Sequence, residues 1–233
     1  LYLKPPAWDF QPGQFVMVRP GSWENDPVWP RPFSICEKTE AFLRLFIQVA
    51  GRGTRRLSRL KPGDLIHVWG PLGNGFEYDH KQPLLMLAGG MGMAPFVGLV
   101  KQHPVPDNAS LVLGHRGSAE HYPISELAER MSIRALRQDT AEDILEFQKF
   151  LEKNISSFSS EGRILACGPV PFLRFIQDQA GKYKADAWIS LENKMACGIG
   201  VCLGCTARTV LGEYRQTCTY GPVFRADSIV LEP

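Results

Sequence analysis

Residues 84–100, LLMLAGGMGMAPFVGLV, decide the fold class of this chain. The apolar run at the start of this segment predicts a buried strand, and the glycines at 89, 90 and 92 predict a tight turn before a helix from Ala94. A membrane span is not expected here, because the glycines and Pro95 interrupt a run shorter than the roughly 20 apolar residues that a span requires. The segment therefore predicts a strand, a glycine turn and a helix of an α/β domain.

The residues that follow continue the alternation of strands and helices. A helix is predicted near ISELAERM, and another begins at Thr140, where Asp143 is in position to cap it. Apolar residues at helical spacing give the second helix one buried face. The predicted strands are SLVLGHR, SIRAL, RILACGP and DAWISLE. This alternation predicts a parallel sheet with helices on both faces, and we assign it to residues 81–191.

The residues before this domain have an all-β pattern. Gly and Pro clusters separate four runs rich in β-branched and aromatic residues: PGQFVMVRP, RPFSICE, FLRLFIQV and DLIHVWG. Short strands of this kind predict a small antiparallel barrel over residues 1–80. The remaining residues, 192–233, are predicted to form a small subdomain of loops and short strands.

Composition excludes several classes of function. The chain has 233 residues, of which 44% are hydrophobic, so it can bury one large core or two smaller ones. A net charge of +2 is too small to indicate a nucleic acid or an anionic membrane as partner. No signal-peptide pattern follows Leu1. Six cysteines are too few for a disulfide scaffold, and four of them lie close together. We therefore expect a cytoplasmic protein with a metal centre.

The four clustered cysteines are Cys197, Cys202, Cys205 and Cys218, in the pattern C-x4-C-x2-C-x12-C. The first three have the plant-type ferredoxin spacing of a 2Fe–2S cluster, and the fourth thiolate comes from a later segment. Glycines between them allow the backbone to fold around the cluster. A structural zinc site and a pair of disulfides are the alternatives. Zinc sites usually have two C-x2-C pairs, whereas this chain has one.

Three other motifs have the chemistry of nucleotide binding. The glycine turn at 89–95 can bring the backbone and a helix N-terminus close to a pyrophosphate, although the same turn can serve only to pack a helix on a strand. Arg31 can bind a phosphate with two hydrogen bonds, and Phe33 and Ser34 can contact an aromatic ring. Residues 51–54, GRGT, can form a second phosphate site at a helix start. The last two motifs are, taken singly, more often ordinary turns.

With these motifs in this order, the chain resembles the ferredoxin–NADP reductase superfamily. The cysteine segment, with MACGIG around its first ligand and GPVF at 221–224, makes it most similar to the electron-transfer subunits of NAD-linked dihydroorotate dehydrogenases. The resemblance implies an FAD in the barrel, NAD(H) or NADP(H) in the α/β domain and a 2Fe–2S cluster held by the four cysteines. It also implies a hetero-oligomer with an FMN-containing catalytic subunit.

The resemblance assigns roles to individual residues. Arg31 would hold the FAD pyrophosphate, with Gly53 and Thr54 also binding phosphate. The flavin contacts would be Pro32, Phe33, Ser34, Ile47, Gln48 and Val49. The pyridine nucleotide would contact Gly89, Gly90, Gly92, Pro95, Cys167, Gly168 and Pro169, with Cys167 near the nicotinamide. No general acid or base is required, because electron transfer is the chemistry of the cofactors.

The chain departs from the family in one stretch that bears on function. Between the third α/β strand and the next helix, residues 136–141 read LRQDTA, without the acidic, glycine-rich sequence of the family. We therefore expect weaker binding of the pyridine nucleotide, and His115 and Arg116 are either contacts to an adenosine phosphate or surface charges.

Two other functions fit the same sequence. The chain can be the flavin–iron–sulfur subunit of a cytoplasmic hydrogenase or a related complex, in which case the electron-transfer chemistry is retained and the partner differs. It can also be a binding module with a zinc site and no redox role. Such a protein would be colourless, whereas flavin and iron–sulfur proteins are coloured.

Overall fold

The computed structural model of the chain describes residues 1–23, 26–159 and 162–232. The first strands are β1 Tyr2–Leu3, β2 Phe15–Pro20, β3 Arg31–Lys38, β4 Leu43–Leu45 and β5 Ile66–Leu72. They are followed by β6 Leu84–Gly89, β7 Ala109–His115, β8 Ser132–Arg137, β9 Arg163–Cys167 and β10 Asp186–Ser190. The last are β11 Thr206–Thr209, β12 Tyr214–Gln216, β13 Val223–Arg225 and β14 Ile229–Val230. The α-helices are α1 Arg52–Leu57, α2 Ala94–Gln102, α3 Ile124–Ala128, α4 Ala141–Phe158, α5 Val170–Tyr183 and α6 Thr217–Tyr220.

The first five strands form an antiparallel sheet in the order β1-β4-β3-β2-β5. The four predicted β segments became β2 to β5, which confirms the antiparallel domain. Among the described residues the edge strands β1 and β5 do not pair with each other, so the sheet is a curled half-barrel rather than a closed one. Its core contains Val16, Val18, Trp23 and Ile35, all of which are buried.

The predicted parallel sheet is confirmed and has six strands in the order β13-β10-β9-β6-β7-β8. Strands β6 to β10 are parallel, whereas β13 pairs antiparallel with β10. The C-terminal segment, expected to form a separate subdomain, therefore also supplies an edge strand of this sheet. The strand order reverses beside β6, between β6 and β9. In doubly wound sheets, ligands bind in the crevice outside the carboxyl ends of the strands at this point.

Helices cover both faces of the parallel sheet, as the alternating pattern predicted. On one face α2 and α3 pack through residues such as Phe96 and Leu127, and on the other α4 and α5 pack through residues such as Phe147 and Leu173. The predicted cap of α4 is present. The Asp143 N–H donates to the Thr140 hydroxyl at 3.1 Å, and the Thr140 N–H donates to the Asp143 carboxylate at 2.9 Å. Helix α5 had no sequence prediction of its own.

A network of four charged side chains joins the two domains. Lys101 of α2 donates to Glu37 of β3 at 2.7 Å, and Arg44 of β4 donates to Glu126 of α3 at 2.9 Å. Lys101 also pairs with Glu126, and Arg44 with Glu37. Each charge therefore has partners from both domains. This arrangement fixes the half-barrel against helices α2 and α3 of the α/β domain.

Within the described residues, no helix has the length and apolar character needed to cross a membrane.

One glycine at the strand-order reversal is required by close backbone contact. A Cβ atom added to Gly92 would lie 2.0 Å from the carbonyl oxygen of Cys167, so the turn after β6 can approach the end of β9 only without a side chain.

We predict that Gly92→Ala lowers the free energy of unfolding by about 1–3 kcal/mol, because the backbone must move to relieve the overlap. Gly181→Ala is the matched control. Gly181 lies inside α5, where an added Cβ meets no atom within 4 Å, so this change should raise stability by about 0.5–1 kcal/mol. Urea titration of both variants measures the difference, and equal stability of the two would contradict the contact.

Candidate cofactor-binding sites

A cleft of about 410 Å³ lies between the half-barrel and the parallel sheet. Pro32, Phe33 and Ser34 of β3 and the two residues Ile47 and Gln48 after β4 line one side. The opposite side is formed by residues of the α/β domain and of the following segment: Met91, Ala94, Cys167, Ser190, Leu191 and Glu192 to Met195. Five of the six residues expected to contact a flavin therefore lie together in one cleft.

The two expected phosphate-binding elements are also neighbours. A Cβ added to Gly53 would lie 2.9 Å from Nε of Arg31, so α1 begins directly against the arginine. The Arg31 guanidinium donates to the Trp29 carbonyl at 2.8 Å. The Thr54 hydroxyl accepts the N–H groups of Ala50 and Gly51, each at 3.0 Å, and shapes the turn before α1. Arg31, Gly53 and Thr54 are thus close in space, outside the lining of the cleft itself.

A second cavity, of about 520 Å³, opens at the carboxyl ends of β6, β7 and β9. The glycine turn lines it through Gly89, Gly90 and Gly92, and Pro169 lines it from the end of β9. The glycine turn and residues 167–169 are in close contact: a Cβ added to Gly168 would lie 3.0 Å from the Cα of Gly89. The two segments expected to bind a pyridine nucleotide therefore meet at the strand-order reversal.

The cleft and the second cavity adjoin through three shared residues, Gln48, Met91 and Glu192. Burial raises the pKa of the Glu192 carboxyl, although much of the residue faces the open space of the cavities. Burial also raises the pKa of the Cys167 thiol, which lies near Glu192 and Ser190. Sequence reasoning did not identify Glu192, since nothing local distinguishes an acidic residue after a strand from a surface charge.

The four predicted cluster cysteines form two pairs. The thiols of Cys197 and Cys202 are in hydrogen-bonding contact, and so are those of Cys205 and Cys218. Backbone N–H groups of the loop point at these sulfurs. Gly200 donates to Cys218 Sγ at 3.1 Å, and Ile199 and Cys202 donate to Cys197 Sγ at 3.4 Å. Partial burial opposes ionisation of Cys197, but the N–H donors outweigh it and lower its pKa to about 6.

This donor set fits a binuclear cluster better than the two alternatives. A 2Fe–2S cluster takes two thiolates for each iron, and N–H donors around its sulfurs are typical of such sites. In the described part of the chain, no group of three or more Cys, His, Asp or Glu is arranged to hold a single metal ion, as a zinc site requires. All six cysteines are free thiols, so the disulfide alternative has no support.

The cysteine loop packs on the outer face of β2. Phe15 and Met17 lie in one buried group with Cys205 and Cys218, and Met195 packs against it. A Cβ on Gly198 would lie 2.5 Å from the Met17 side chain. Phe15 and Met195 also line the 410 Å³ cleft. These two side chains therefore lie between the cysteines and this cleft and touch both.

The other side of the cysteine loop faces solvent. Ile199, Val201 and Leu203 are exposed by 55%, 75% and 58%, and Cys202 is exposed between them. Met195, by contrast, packs inward against the buried group that contains Cys205 and Cys218. Half of the exposed large hydrophobic side chains of the described chain lie in the segment from Ile199 to Val230.

Besides Arg31, Gly53 and Thr54, three further residues with predicted cofactor roles do not line either cavity. They are Val49, which is exposed, Pro95, which is buried at the start of α2, and Gly168. Their roles in cofactor binding stay predictions.

Known proteins match both the cysteine segment and the whole chain. The sequence model described as "Iron-sulfur cluster binding domain of dihydroorotate dehydrogenase B" matches residues 192–230. A protein of Clostridium acetobutylicum named "Dihydroorotate dehydrogenase B (NAD(+)), electron transfer subunit" is 31% identical over 227 residues, which are 96% of this chain and 88% of that protein. A protein of the same name from Listeria monocytogenes is 34% identical over 229 residues, with coverage of 94% and 87%.

Solved structures match the fold. A chain from the structure of "the NADH-dependent reduced ferredoxin-NADP oxidoreductase" superposes with a TM-score of 0.82 at 24% identity, over 99% of this chain and 84% of that chain. It shares the half-barrel, parallel sheet and C-terminal segment, and at this identity the likeness concerns the fold alone. The sequence matches, which extend over nearly the full length of this chain and of its relatives, show more. The chain belongs to the family of electron transfer subunits of dihydroorotate dehydrogenase B.

Proposed function

We propose that this chain is the electron-transfer subunit of a two-subunit dihydroorotate dehydrogenase, and that it passes electrons from a catalytic subunit to a pyridine nucleotide. One observation carries the proposal. The nucleotide cavity, the flavin cleft and the cysteine loop follow one another without a gap, because each neighbouring pair shares residues. Gln48, Met91 and Glu192 join the first two sites, and Phe15 and Met195 join the last two.

This order matches the order in which the electrons have to move. FAD exchanges a hydride with a nicotinamide and single electrons with a 2Fe–2S cluster, so it belongs between them. Phe33 and Ser34 supply an apolar surface and a hydroxyl at the cleft that would hold the flavin ring. Glycine residues at the strand-order reversal leave room for the nicotinamide end of a dinucleotide beside Cys167. The packed side chains of Phe15 and Met195 exclude water between the cleft and the cysteines.

The four cysteines are proposed as the ligands of the 2Fe–2S cluster, one pair to each iron. Cysteine thiols must lose their protons to bind iron. The loop N–H groups stabilise the thiolate form of Cys197 and Cys218. Free thiols that hold iron require reducing conditions, which supports the proposal that the protein works in the cytoplasm.

The partner is proposed to be an FMN-containing catalytic subunit that oxidises dihydroorotate. An electron must leave or enter the cluster at the protein surface, and here that surface is apolar. Exposed apolar side chains around Cys202 are what an interface that excludes water requires. The weaker nucleotide binding expected from residues 136–141 stays a prediction.

Replacement of Arg31 tests the FAD site. Arg31→Ala should weaken FAD binding by about 1.5–3 kcal/mol, or roughly 10- to 100-fold in Kd, because a charge-assisted contact to phosphate is lost. Arg59→Ala, which removes an exposed arginine beyond α1, serves as the control. Fluorescence titration of the deflavinated proteins with FAD measures both, and unchanged affinity in Arg31→Ala would reject the assignment.

Metal analysis tests the cluster. Anaerobically purified protein should contain iron and acid-labile sulfide at about two of each per chain, as a 2Fe–2S cluster requires. Cys218→Ser should lose or greatly destabilise the cluster, whereas Cys36→Ser changes a buried thiol that packs in a different hydrophobic group from the loop cysteines and should retain it. Stoichiometric zinc without sulfide would favour the zinc-module function.

Coexpression with a dihydroorotate dehydrogenase catalytic subunit tests the partner. We expect a stable complex that reduces NAD+ with dihydroorotate. Val201→Ser should weaken that complex by about 5- to 30-fold, the effect of about 1–2 kcal/mol at an interface. Leu65→Ser is the matched control, since Leu65 is 69% exposed on the half-barrel. Iron content should be unchanged in both variants. A monomer that forms no complex, with no dihydroorotate-linked activity, would favour a hydrogenase-type partner.

A further inference from the structure

At the end of the nucleotide cavity that lies away from the flavin cleft, the lining contains an arginine side chain and no carboxylate. Beyond the glycine turn the cavity is lined by His115 and Arg116 at the end of β7 and by Gln138 after β8. Arg116 and Glu192 are the only charged side chains among the described lining residues. Glu192 also lines the flavin cleft, which places it at the nicotinamide end. The adenosine end therefore has a single positive charge.

Arg116 is available for a ligand. It is exposed, and within the described chain no ion pair or hydrogen bond involves its side chain. Its neighbour His115 is only 6% exposed, and Nδ1 of that ring is buried without a hydrogen-bond partner. The His115 ring contacts Tyr122, with the ring centroids 5.6 Å apart, and Tyr122 also lines the cavity beside Gly90. The buried histidine thus fixes the strand end that carries the arginine.

Asp139, an acidic residue in the loop after β8, is already engaged by other groups. Asp139 accepts the Gly117 N–H at 3.1 Å and pairs with Arg137, and it does not line the cavity. The pKa of its carboxyl is lowered, mainly by the Gly117 N–H; burial opposes this, and the contact with Arg137 lowers the pKa further. Asp139 therefore holds the loop after β7 in place.

The end of the second strand is where doubly wound folds distinguish the two pyridine nucleotides. A carboxylate there binds the ribose 2′-hydroxyl of NAD, whereas an arginine accommodates the 2′-phosphate of NADP. Strand β7 is the strand next to β6 in this sheet, and it ends in His115 followed by Arg116. A carboxylate at this position would repel a phosphate, and the described cavity end has none.

We propose that this chain accepts NADPH as well as NADH, and that Arg116 binds the 2′-phosphate. The proposal rests on the proposed pyridine-nucleotide site and adds a second substrate to it. In the proposed direction of electron flow, NADP+ would accept a hydride, with its two electrons, from the reduced flavin and leave as NADPH, as NAD+ leaves as NADH. In the reverse direction, which the experiment below uses, NADPH would give up that hydride to the oxidised flavin. The relatives described above carry NAD(+) in their names, so use of NADPH would distinguish this chain from them.

The first experiment is stopped-flow reduction of the flavin in the purified holoprotein by NADPH and by NADH. We expect a KM for NADPH no higher than that for NADH. Arg116→Ala should raise the KM for NADPH by roughly 10- to 100-fold, the effect of one charge-assisted contact, and change that for NADH by less than about 3-fold. Arg137→Ala removes a nearby arginine that does not line the cavity, and should leave the ratio of the two KM values unchanged.

A binding measurement keeps the inference separate from the proposed function. By calorimetry, 2′,5′-ADP should bind the wild-type holoprotein at least about 10-fold more tightly than 5′-AMP, and Arg116→Ala should abolish the difference. Rapid reduction by NADH with reduction by NADPH more than about 100-fold less efficient would overturn the inference and leave the proposed function intact. If neither nucleotide reduces the flavin, the proposed function fails, and equal binding of the two adenosine phosphates then overturns the inference as well.

Discussion

The arrangement of the cofactor sites depends on how the cysteine segment is tied to the parallel sheet. The chain leaves the sheet at the end of β10 and returns in β13, which pairs directly with β10. At the base of this excursion, the Leu191 N–H donates to the Pro222 carbonyl at 2.9 Å, and the Asn74 N–H donates to the Gly221 carbonyl at 2.6 Å. Because exit and return are adjacent, the cysteine loop must sit at the carboxyl edge of the sheet, where nucleotides bind.

The same excursion explains an unusual feature of β2. A strand of an antiparallel sheet usually has one face toward solvent, yet both faces of β2 are buried. Val16 and Val18 face the core of the half-barrel, whereas Phe15 and Met17 face the cysteine loop. Burial of the second face removes apolar area that would otherwise be exposed and fixes the loop against the sheet. The flavin cleft and the cysteines are thereby both in contact with Phe15 and Met195, without a separate linker between domains.

Local sequence patterns were sufficient for most of the fold. The runs of β-branched and aromatic residues in the half-barrel, the alternation of strands and helices and the cap at Thr140 each depend on residues within a few positions of one another. The cysteine spacing likewise indicated the cluster type, since three ligands lie on one loop. Long-range contacts could not be read in this way. The pairing of β13 with β10, the contact of Gly92 with the Cys167 carbonyl and the inward packing of Met195 all depend on residues far apart in sequence. The site residue Glu192 was missed for the same reason.

The surfaces of the three proposed sites differ in a way that suits the groups proposed to occupy them. A nucleotide must enter and leave in every turnover, and its cavity is open and lined by glycines, amides and the cation of Arg116. A flavin that stays bound needs less access, and its cleft lies between two domains held by the network of Glu37, Lys101, Arg44 and Glu126. Only electrons pass beyond the cysteines. No opening is needed there, and an apolar surface around Cys202 is sufficient, because a partner that covers it brings its own cofactor close and displaces the water.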